Sequence, residues 1–463
     1  MARGKKKENL TPEERLQAAL VPESEQPYKV PRNWCWVRLG QLYQINPKNL
    51  AEDAVDAAFI PMEKIAPGLV NEYSFEVQPW GKAKKGHTQF ANGDVAFAKI
   101  SPCFENRKSM FLNNLPNGIG GGTTELVILR QSHMNQKYTF WFISQEQFIR
   151  GGVATYSGTV GQQRISMDYV RTYPVPVPPP SEQYRIVDRI ESLFAKLDEA
   201  KQKAQDALDS FETRKAAILH KAFTGELTAQ WRKKHGVGME SWKEKEIGQI
   251  AFVTKLAGFE YTKNIAPNLV DTGIPLFKGK NVQKGELILE FESYIPENIS
   301  DELPRSQLNR KCLLTPYVGT IGNIAIFDGS FKAHLGSNVG KIEINSDTYE
   351  EYVLYYLRSD FGYKELTKQK KATAQESISI QAIREVLVRI PLQEEQIEIV
   401  RILDDLLAKE QQAKEAAEKV LEQIDLIKKS ILARAFRGEL GTNDPSEQNA
   451  VELLRQVLST SDR

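Results

Sequence analysis

PPSEQYRIVDRIESLFAKLDEAKQKA, residues 179–204, is written a second time in this chain as LQEEQIEIVRILDDLLAKEQQAKEAA, residues 392–417. The shared letters recur at a constant offset of 213 positions, so neither copy carries an insertion or deletion relative to the other. An inserted residue would rotate every later side chain to another face of a helix. An ungapped match of this length therefore predicts one continuous helix in each copy.

Apolar residues recur in both copies at alternating steps of three and four, which is the heptad spacing of a coiled coil. Arg214 and Glu410 fill one polar position each, and Gly225 and Gly438 favour helix termination at equivalent places. Such a stripe is also typical of a helix packed on the core of its own domain. Two matched helices nevertheless favour packing against each other. The residues predicted for helix–helix packing are Ile186, Ile190, Leu193, Leu197, Phe211, Ile218, Ile399, Leu403, Leu406, Val420, Ile424, Ile427 and Ile431.

The repeat extends to both sides of the helices. KAFTGELTAQW (221–231) and RAFRGELGTN (434–443) follow them, and upstream NWCWVRLGQL (33–42) resembles SWKEKEIGQI (241–250). FIPMEKI and GIPLFKGKNV also resemble each other, with Pro61 aligned to Pro275. These upstream pieces are short and bounded by Gly, Pro and Asn, so they indicate strands and turns. The chain therefore reads as globular domain, helix, globular domain, helix.

The predicted fold class is α+β, with two α/β domains, each followed by a long helix. The predicted segments are an N-terminal extension (1–26), domain 1 (27–180), helix 1 (181–227), a linker (228–241), domain 2 (242–392), helix 2 (393–440) and a C-terminal tail (441–463). Each globular segment has about 150 residues, an ordinary domain size.

Composition excludes several classes of protein. An apolar share of 41% can bury cores, and no apolar run approaches the roughly 18 to 20 residues of a membrane span. The start, MARGKKKENLTPEERL, has a basic patch without a following apolar segment, which is unlike a secretory signal. Three scattered cysteines argue against a disulfide framework and a thiolate zinc site. We therefore expect a cytoplasmic protein without membrane association.

The sequence lacks the motifs of catalysis. The five histidines have no metal-ligand spacing, and no nucleophile elbow GxSxG occurs. GSNVGK (336–341) is one residue too short between its glycines for a phosphate-binding loop, and GIGGG (118–122) lacks the dinucleotide-binding spacing. No adenine-methylation signature of the (D/N)PP(Y/F) kind is present. We expect no catalytic, cofactor-binding or metal-binding residues in this chain.

Charge is distributed unevenly although the net charge is only +1. Residues 27–180 hold 16 Lys/Arg against 11 Asp/Glu, whereas residues 393–463 hold 10 against 15. Lysines suit DNA phosphates, and Asn and Gln can pair bidentately with adenine. Each basic cluster could equally be a solvated loop. The candidate DNA-binding residues are Lys82, Lys84, Lys85, His87, Arg107, Lys108, Lys278, Lys280, Asn281, Gln283, Lys368, Lys370 and Lys371.

These pieces together resemble one family. Two half-similar domains close with PVPPPSEQ and RIPLQEEQ, and the helices end in AFTGELTAQW and AFRGEL. With the opening ALVPESEQPYKVPRNWCWVRLGQL (19–42), they resemble the specificity subunit of a type I restriction–modification system over essentially the whole chain.

The resemblance implies that the two α/β domains are target-recognition domains and that the two helices form an antiparallel coiled coil with pseudo-twofold symmetry. It also implies a non-catalytic subunit that recognises a bipartite, asymmetric site in double-stranded DNA with a nonspecific spacer. Its implied partners are two modification subunits, which methylate adenine, and two restriction subunits, which translocate and cleave DNA. S-adenosylmethionine, ATP and Mg²⁺ would then be bound by the partners. A coiled-coil scaffold without a DNA role and a fragment of a fused methyltransferase–nuclease are the alternatives.

Overall fold

In a computed structural model, the structure describes residues 11–131, 133–283, 285–368 and 376–460. The chain divides into two compact units. Unit 1 runs to Lys203 and resumes at Val420, whereas unit 2 is Ala204–Lys419. Both long helices cross these boundaries, so each of them contributes one segment to each unit.

The strands of unit 1 are β1 (Cys35–Arg38), β2 (Gln44–Ile45), β3 (Asp56–Ile60), β4 (Glu76–Pro79), β5 (Thr88–Ala91), β6 (Val95–Ala98), β7 (Ser109–Phe111), β8 (Ile119–Gly122), β9 (Leu126–Arg130) and β10 (Pro174–Val177). The strands of unit 2 are β11 (Lys243–Glu246), β12 (Ala251–Lys255), β13 (Ile274–Phe277), β14 (Tyr294–Ile295), β15 (Gln307–Leu308), β16 (Cys312–Pro316), β17 (Ala325–Phe327), β18 (Ala333–Leu335), β19 (Val339–Ile344) and β20 (Leu387–Ile390).

The two units have the same sheet topology. Unit 1 contains the sheets β2-β9-β6-β7 and β4-β3-β8-β5 and the pair β1-β10. Unit 2 contains β12-β19-β16-β17 and β14-β13-β18-β15 and the pair β11-β20, so adding ten to each strand number converts one unit into the other. In each unit one strand pair is parallel, β3 with β8 and β13 with β18. The predicted α+β repeat is confirmed.

The α-helices are α1 (Pro12–Ala19), α2 (Leu39–Leu42), α3 (Trp80–Ala83), α4 (Gln136–Ile143), α5 (Glu146–Val153), α6 (Met167–Thr172), α7 (Pro180–Asp209), α8 (Phe211–Phe223), α9 (Ala229–His235), α10 (Ile247–Ile250), α11 (Gly258–Glu260), α12 (Glu297–Asp301), α13 (Glu350–Arg358), α14 (Asp360–Thr367), α15 (Ile380–Arg384), α16 (Gln393–Ala435) and α17 (Val451–Thr460).

The first long helix is interrupted, whereas the second is not. α16 runs for 43 residues without a break, as predicted. α7 ends at Asp209 and α8 begins at Phe211, with Ser210 between them. The hydroxyl of Ser210 donates to the carbonyl of Asp206 at 2.8 Å. Serine bonds of this kind to the preceding turn often bend a helix. The single helix predicted over 181–227 is therefore divided in two, although α7 covers residues 180–204 of the quoted repeat without a break.

Within each unit the two long helices contact each other and run antiparallel. In unit 1 Asp198 of α7 accepts a hydrogen bond from Lys428 of α16 at 2.5 Å. In unit 2 Arg214 of α8 donates to Glu410 of α16 at 2.8 Å. The start of each helix meets the residues that follow the other one, as Glu395 does with Arg232 at 2.6 Å. Polar contacts thus join the two long helices in both units.

The packing register along the end of α16 differs from the predicted one. Ile424 is buried as expected, but Val420 and Ile427 are 40% and 43% exposed, so both predictions are wrong. The seam instead contains Lys428, which is only 7% exposed. Its amine lies 5.0 Å from the ring centroid of Phe194 and pairs with Asp198, so the lysine stem packs while its charge is compensated.

The ends of α16 and α8 pack on helices α4 and α13, respectively, through the same kind of aromatic contact. Phe436, at the end of α16, packs edge to face against Tyr138 of unit 1 at 5.2 Å between centroids. Phe223, at the end of α8, packs likewise against Tyr352 of unit 2 at 5.5 Å. Each aromatic pair lies in the principal core of its unit. The repeated sequence at the ends of the helices therefore supplies the phenylalanine by which each helix end packs into the core of its unit.

Candidate nucleic-acid interface

The first predicted cluster lies on and after α3 in unit 1. Lys82 and Lys85 are exposed, and neither forms an ion pair with any residue that the structure describes. Lys84 instead pairs with Asp53 at 2.6 Å. The His87 ring nitrogen Nδ1 lies 3.2 Å from the carbonyl oxygen of Ala83, inside the same turn. Lys82 and Lys85 are therefore the two cations of this cluster that are free to meet a phosphate.

The side chains of Arg107 and Lys108 both donate hydrogen bonds within unit 1. The side chain of Arg107 is 12% exposed, pairs with Glu146 and donates from Nε to the carbonyl of Ser144 at 3.0 Å. Lys108 donates from Nζ to the carbonyl of Met62 at 2.8 Å. Because the guanidinium of Arg107 is mostly buried and paired within unit 1, the prediction that it binds DNA is wrong. The role of Lys108, which uses one of its three amine donors here, stays a prediction.

Asn281 is likewise a structural residue, so its prediction as a base-contacting side chain is wrong. It is 2% exposed and all its hydrogen-bonding groups are used. Its Oδ1 accepts from the backbone amide of Lys278 at 2.9 Å, and its Nδ2 donates to the carbonyls of Ile288 and Glu290 at 2.9 and 3.1 Å. A buried and satisfied amide cannot also read a base edge.

The remaining predicted residues of unit 2 are divided between paired and exposed side chains. Lys278 donates to Ser293 Oγ at 2.8 Å, and Lys280 forms an ion pair with Glu292. Gln283 is exposed, and Lys368 is exposed beside Glu365 at 3.3 Å. Lys370 and Lys371 lie outside the described residues.

A different feature of unit 1 was missed by the sequence reading. The β6–β7 loop (99–108) is joined by backbone hydrogen bonds to a hairpin formed by residues 157–164. Ser101 N donates to the carbonyl of Gln163 at 2.8 Å, and Ile165 N donates to that of Lys99 at 3.0 Å. Ser157 and Arg164 exchange amide–carbonyl bonds of 3.1 and 2.9 Å across the base of the hairpin.

Unit 2 makes the same backbone connections between its equivalent loops. Gly319 N donates to the carbonyl of Glu376, and Ile378 N donates to that of Tyr317, both at 2.9 Å. A bridge between Val318 and Ser377 occupies the place of the bridge between Ile100 and Arg164. The two units therefore share one backbone scaffold that carries different side chains, which is the arrangement expected of a variable recognition loop on a fixed frame.

One ion pair at the base of the hairpin is present in unit 1 alone among the described residues. Arg164 donates from Nε and Nη2 to both carboxylate oxygens of Glu125, at 2.9 and 2.7 Å. These hydrogen bonds from Arg164 hold the pKa of Glu125 below its ordinary value, so the carboxylate stays charged at neutral pH. Unit 2 has Asn338 and Ser377 at the corresponding places, so it has no equivalent of this ion pair there.

The tip of the 157–164 hairpin is open to solvent. Gln162 N donates to the carbonyl of Thr159 at 2.9 Å, closing a turn in which Gly161 has a φ of +83°. That turn needs glycine in its third position, since other residues rarely adopt positive φ there. Val160 occupies the second position and is 95% exposed. The sequence signal for this feature is SGTVGQQR, polar residues around two glycines just before the repeated ISM/ISI element.

The described ranges contain no group of three or more His, Cys, Asp or Glu side chains that could hold a metal ion. Within the same ranges no helix combines the length and apolar character that crossing a membrane requires.

The two units have the same sheet order but carry loops of different sequence, and this arrangement defines a tandem-domain recognition protein. A family model, the type I restriction modification DNA specificity domain, matches residues 31–208 and 239–423, and the chain belongs to this family. The two matched ranges follow the internal repeat found in the sequence.

Individual relatives agree with this assignment. The chain is 37% identical over 195 residues to the type I restriction enzyme EcoAI specificity subunit of Escherichia coli, covering 42% of this chain and 33% of the relative. It is 34% identical over 220 residues to the EcoEI specificity subunit of the same species, covering 46% and 37%. The matched regions thus span about a third of the length of these relatives. The fold resembles that of the HsdS subunit from Thermoanaerobacter tengcongensis, with a TM-score of 0.70, 18% identity, and 90% of this chain and 100% of that chain covered.

Proposed function

We propose that this protein is the DNA specificity subunit of a type I restriction–modification complex in the cytoplasm, and that each unit reads one half of a bipartite site. The supporting observation is the repeated scaffold, in which equivalent backbone bonds hold loops of different sequence in the two units. Two different readers on one chain would give an asymmetric site, with a nonspecific spacer between its halves.

Exchange of one unit tests this proposal. Residues 27–180 would be replaced by the first domain of another family member, and the preferred sequence of wild type and chimaera would be selected from a library of randomised duplexes. We expect one half of the motif to change and the other to be retained. A change in both halves, or the absence of any motif in the wild type, would contradict the proposal.

Catalysis is assigned in this proposal to partner proteins. Two modification subunits that bind S-adenosylmethionine and two restriction subunits that use ATP and Mg²⁺ would associate with the chain. Purified chain incubated with labelled S-adenosylmethionine and duplex DNA should transfer no methyl group. Robust transfer by the isolated chain would contradict this division of labour.

Lys82 and Lys85 are the proposed phosphate contacts of unit 1, because both are exposed and carry no counterion among the described residues. Phosphate contacts supply affinity without sequence preference. Sequence preference must then come from side chains of other elements that reach base edges.

A further inference from the structure

The 157–164 hairpin combines the three properties that reading bases in a groove requires. Its tip is exposed, its base is held by backbone hydrogen bonds, and the side chains of Thr159 and Gln162 form no hydrogen bond with any residue that the structure describes. The hairpin advances about two residues from Ser157 before the Thr159–Gln162 turn begins, roughly 7 Å at about 3.3 Å per residue. The major groove is about 8.5 Å deep, so this reach is comparable to its depth.

The base of the hairpin is fixed from three directions. Ser157 and Arg164 are bonded to each other, Gln163 accepts from Ser101 in the β6–β7 loop, and Arg164 is clamped by both oxygens of Glu125. A loop held in this way loses little conformational entropy when it binds, so its contacts are preorganised.

The tip offers chemistry that distinguishes bases. The side chains of Thr159 and Gln162 are exposed, and neither forms a hydrogen bond with a described residue. A glutamine amide can donate to adenine N7 while accepting from adenine N6, and a valine or threonine methyl can contact the methyl of thymine. Val160, almost fully exposed at the tip, has no structural role that would explain an apolar residue there.

We propose that the 157–164 hairpin is the element of unit 1 that determines sequence specificity, with Gln162 reading an adenine and Val160 contacting a neighbouring thymine methyl. Glu125 is a positioning residue, because it orients the hairpin through Arg164 and lies below the tip. The proposal rests on the proposed function and adds to it the base-contacting element and the base that it recognises.

The test is selection from randomised duplexes with the full-length chain, comparing wild type, Gln162→Ala, Val160→Ala and a matched control. Gln17→Ala is the control, because Gln17 is an exposed glutamine in α1 of the same unit. We expect each hairpin variant to lower preference about tenfold at one or two positions of one half of the motif. The other half and the melting temperature should be unchanged, and the control should select the wild-type motif.

A second variant tests the positioning role. Glu125→Gln removes the charge of the clamp but leaves the hairpin side chains in place, so we expect a broadened preference in the same half of the motif. The slope of log K against log salt should not fall, because no phosphate contact is lost. A lowered melting temperature with an intact motif would mean that Glu125 is merely structural.

The outcomes separate the two proposals. If the wild type selects a bipartite motif and the hairpin variants select the same motif, the hairpin is not the reader, while the proposed function stands. Uniform weakening on all sequences would also overturn the hairpin proposal, since that is the behaviour of a phosphate contact. A wild type that selects no motif overturns both.

Discussion

Trp34 donates its indole N–H to Oε2 of Glu182 at 2.7 Å, although the two residues are 148 positions apart. Unit 2 repeats the contact, with the indole of Trp242 donating to Oε2 of Glu395 at 3.1 Å. Both carboxylates lie in the first turn of a long helix and are fully buried. The repeated tryptophan and the repeated glutamate at the helix start therefore form the same contact in each unit, called the joint below.

The remaining donors of each joint come from the segment after the opposite helix. Glu182 accepts from Asn443 at 2.8 Å, beyond the end of α16. Glu395 accepts from Thr228 and Arg232 at 2.6 Å each, beyond the end of α8. The phrases KAFTGELTAQW and RAFRGELGTN are thus repeated because each carries the chain from the end of one helix to the buried carboxylate at the start of the other.

We predict that Glu395→Gln destabilises the protein more than Glu182→Gln. Both changes disturb a buried set of donors, at a cost of about 1–3 kcal/mol. Glu395→Gln also leaves the buried guanidinium of Arg232 without its counterion, which raises the cost to roughly 3–5 kcal/mol. Thermal unfolding of both variants measures the difference, with Glu191→Gln as control because its pair with Lys137 is partly exposed. Equal melting temperatures for the two joint variants would contradict the prediction.

The packing register of α16 gives a second prediction. Ile424→Ala should cost about 2–5 kcal/mol, because the side chain is 2% exposed and its removal leaves a cavity. Ile427→Ala, an identical change three residues away, should cost under about 1 kcal/mol because that side chain is 43% exposed. Denaturant or thermal unfolding compares them. A larger loss for Ile427→Ala would restore the register expected from the heptad pattern.

The repeat, the element types and the helix pairing were predictable from the sequence, because the apolar residues of an ungapped helix recur with the helical period. The packing register at the end of α16 was predicted wrongly, because a lysine such as Lys428 is not expected at a buried helix–helix contact. Only the structure supplies the Phe194 ring and the Asp198 carboxylate that allow a lysine to lie there. Pattern alone therefore selected Ile427, one position away.

Alignment also failed where loops differ in length between the units. Thr123 N donates to the carbonyl of Ile60, and Gly336 N makes the equivalent bond to Phe277. Pro61 therefore corresponds to Lys278, three residues from the Pro275 that the letters suggested. Insertions between short strands leave no periodicity by which register can be checked.

The candidate site was the least predictable feature, for a related reason. Composition identifies Asn281 as a polar loop residue. Whether its amide is free to contact DNA depends on the fold, which places the carbonyls of Ile288 and Glu290 within hydrogen-bond distance of it. The 157–164 hairpin contains no lysine, so its composition did not indicate nucleic-acid binding. Only the structure shows that Arg164 fixes the base of the hairpin through its hydrogen bonds to Glu125.

Asn281 and Gln283 allow the corrected assignment to be tested. Asn281→Ala should lower stability by about 1–3 kcal/mol, because the amide of Lys278 and two carbonyls lose their partner. The DNA sequence preference of the folded Asn281→Ala protein should equal that of the wild type. Gln283→Ala, on an exposed side chain of the same loop, should leave the melting temperature unchanged. A folded Asn281→Ala protein with relaxed preference at one base would show that the amide does reach DNA.

Salt dependence distinguishes free lysines from committed ones. Lys82→Ala and Lys85→Ala should each reduce the slope of log K against log salt by about one phosphate, with sequence preference unaltered. Lys84→Ala should reduce it less, since Asp53 already compensates that charge. Lys108→Ala is the control for a lysine whose amine is bonded to a carbonyl within the protein. Titrations of labelled duplex at several salt concentrations provide the slopes, and equal slopes for all four variants would refute the assignment.

The helices that cross between the units give the last prediction. Because they are antiparallel within each unit, lengthening one alone would break pairs such as Arg214 with Glu410 or Asp198 with Lys428. Seven residues inserted after Lys203 and seven after Lys419 would keep every pair and preserve the heptad phase. The added rise is about 10 Å at roughly 1.5 Å per residue, which is up to about three base pairs at roughly 3.4 Å each. We therefore expect the double insertion to retain both half-site sequences but to prefer a spacer longer by one to three base pairs. Selection from duplexes of varied spacer length measures it, and the insertion after Lys203 alone serves as the unstable control. Full binding with an unchanged spacer would mean that the helices do not set the distance between the half-sites.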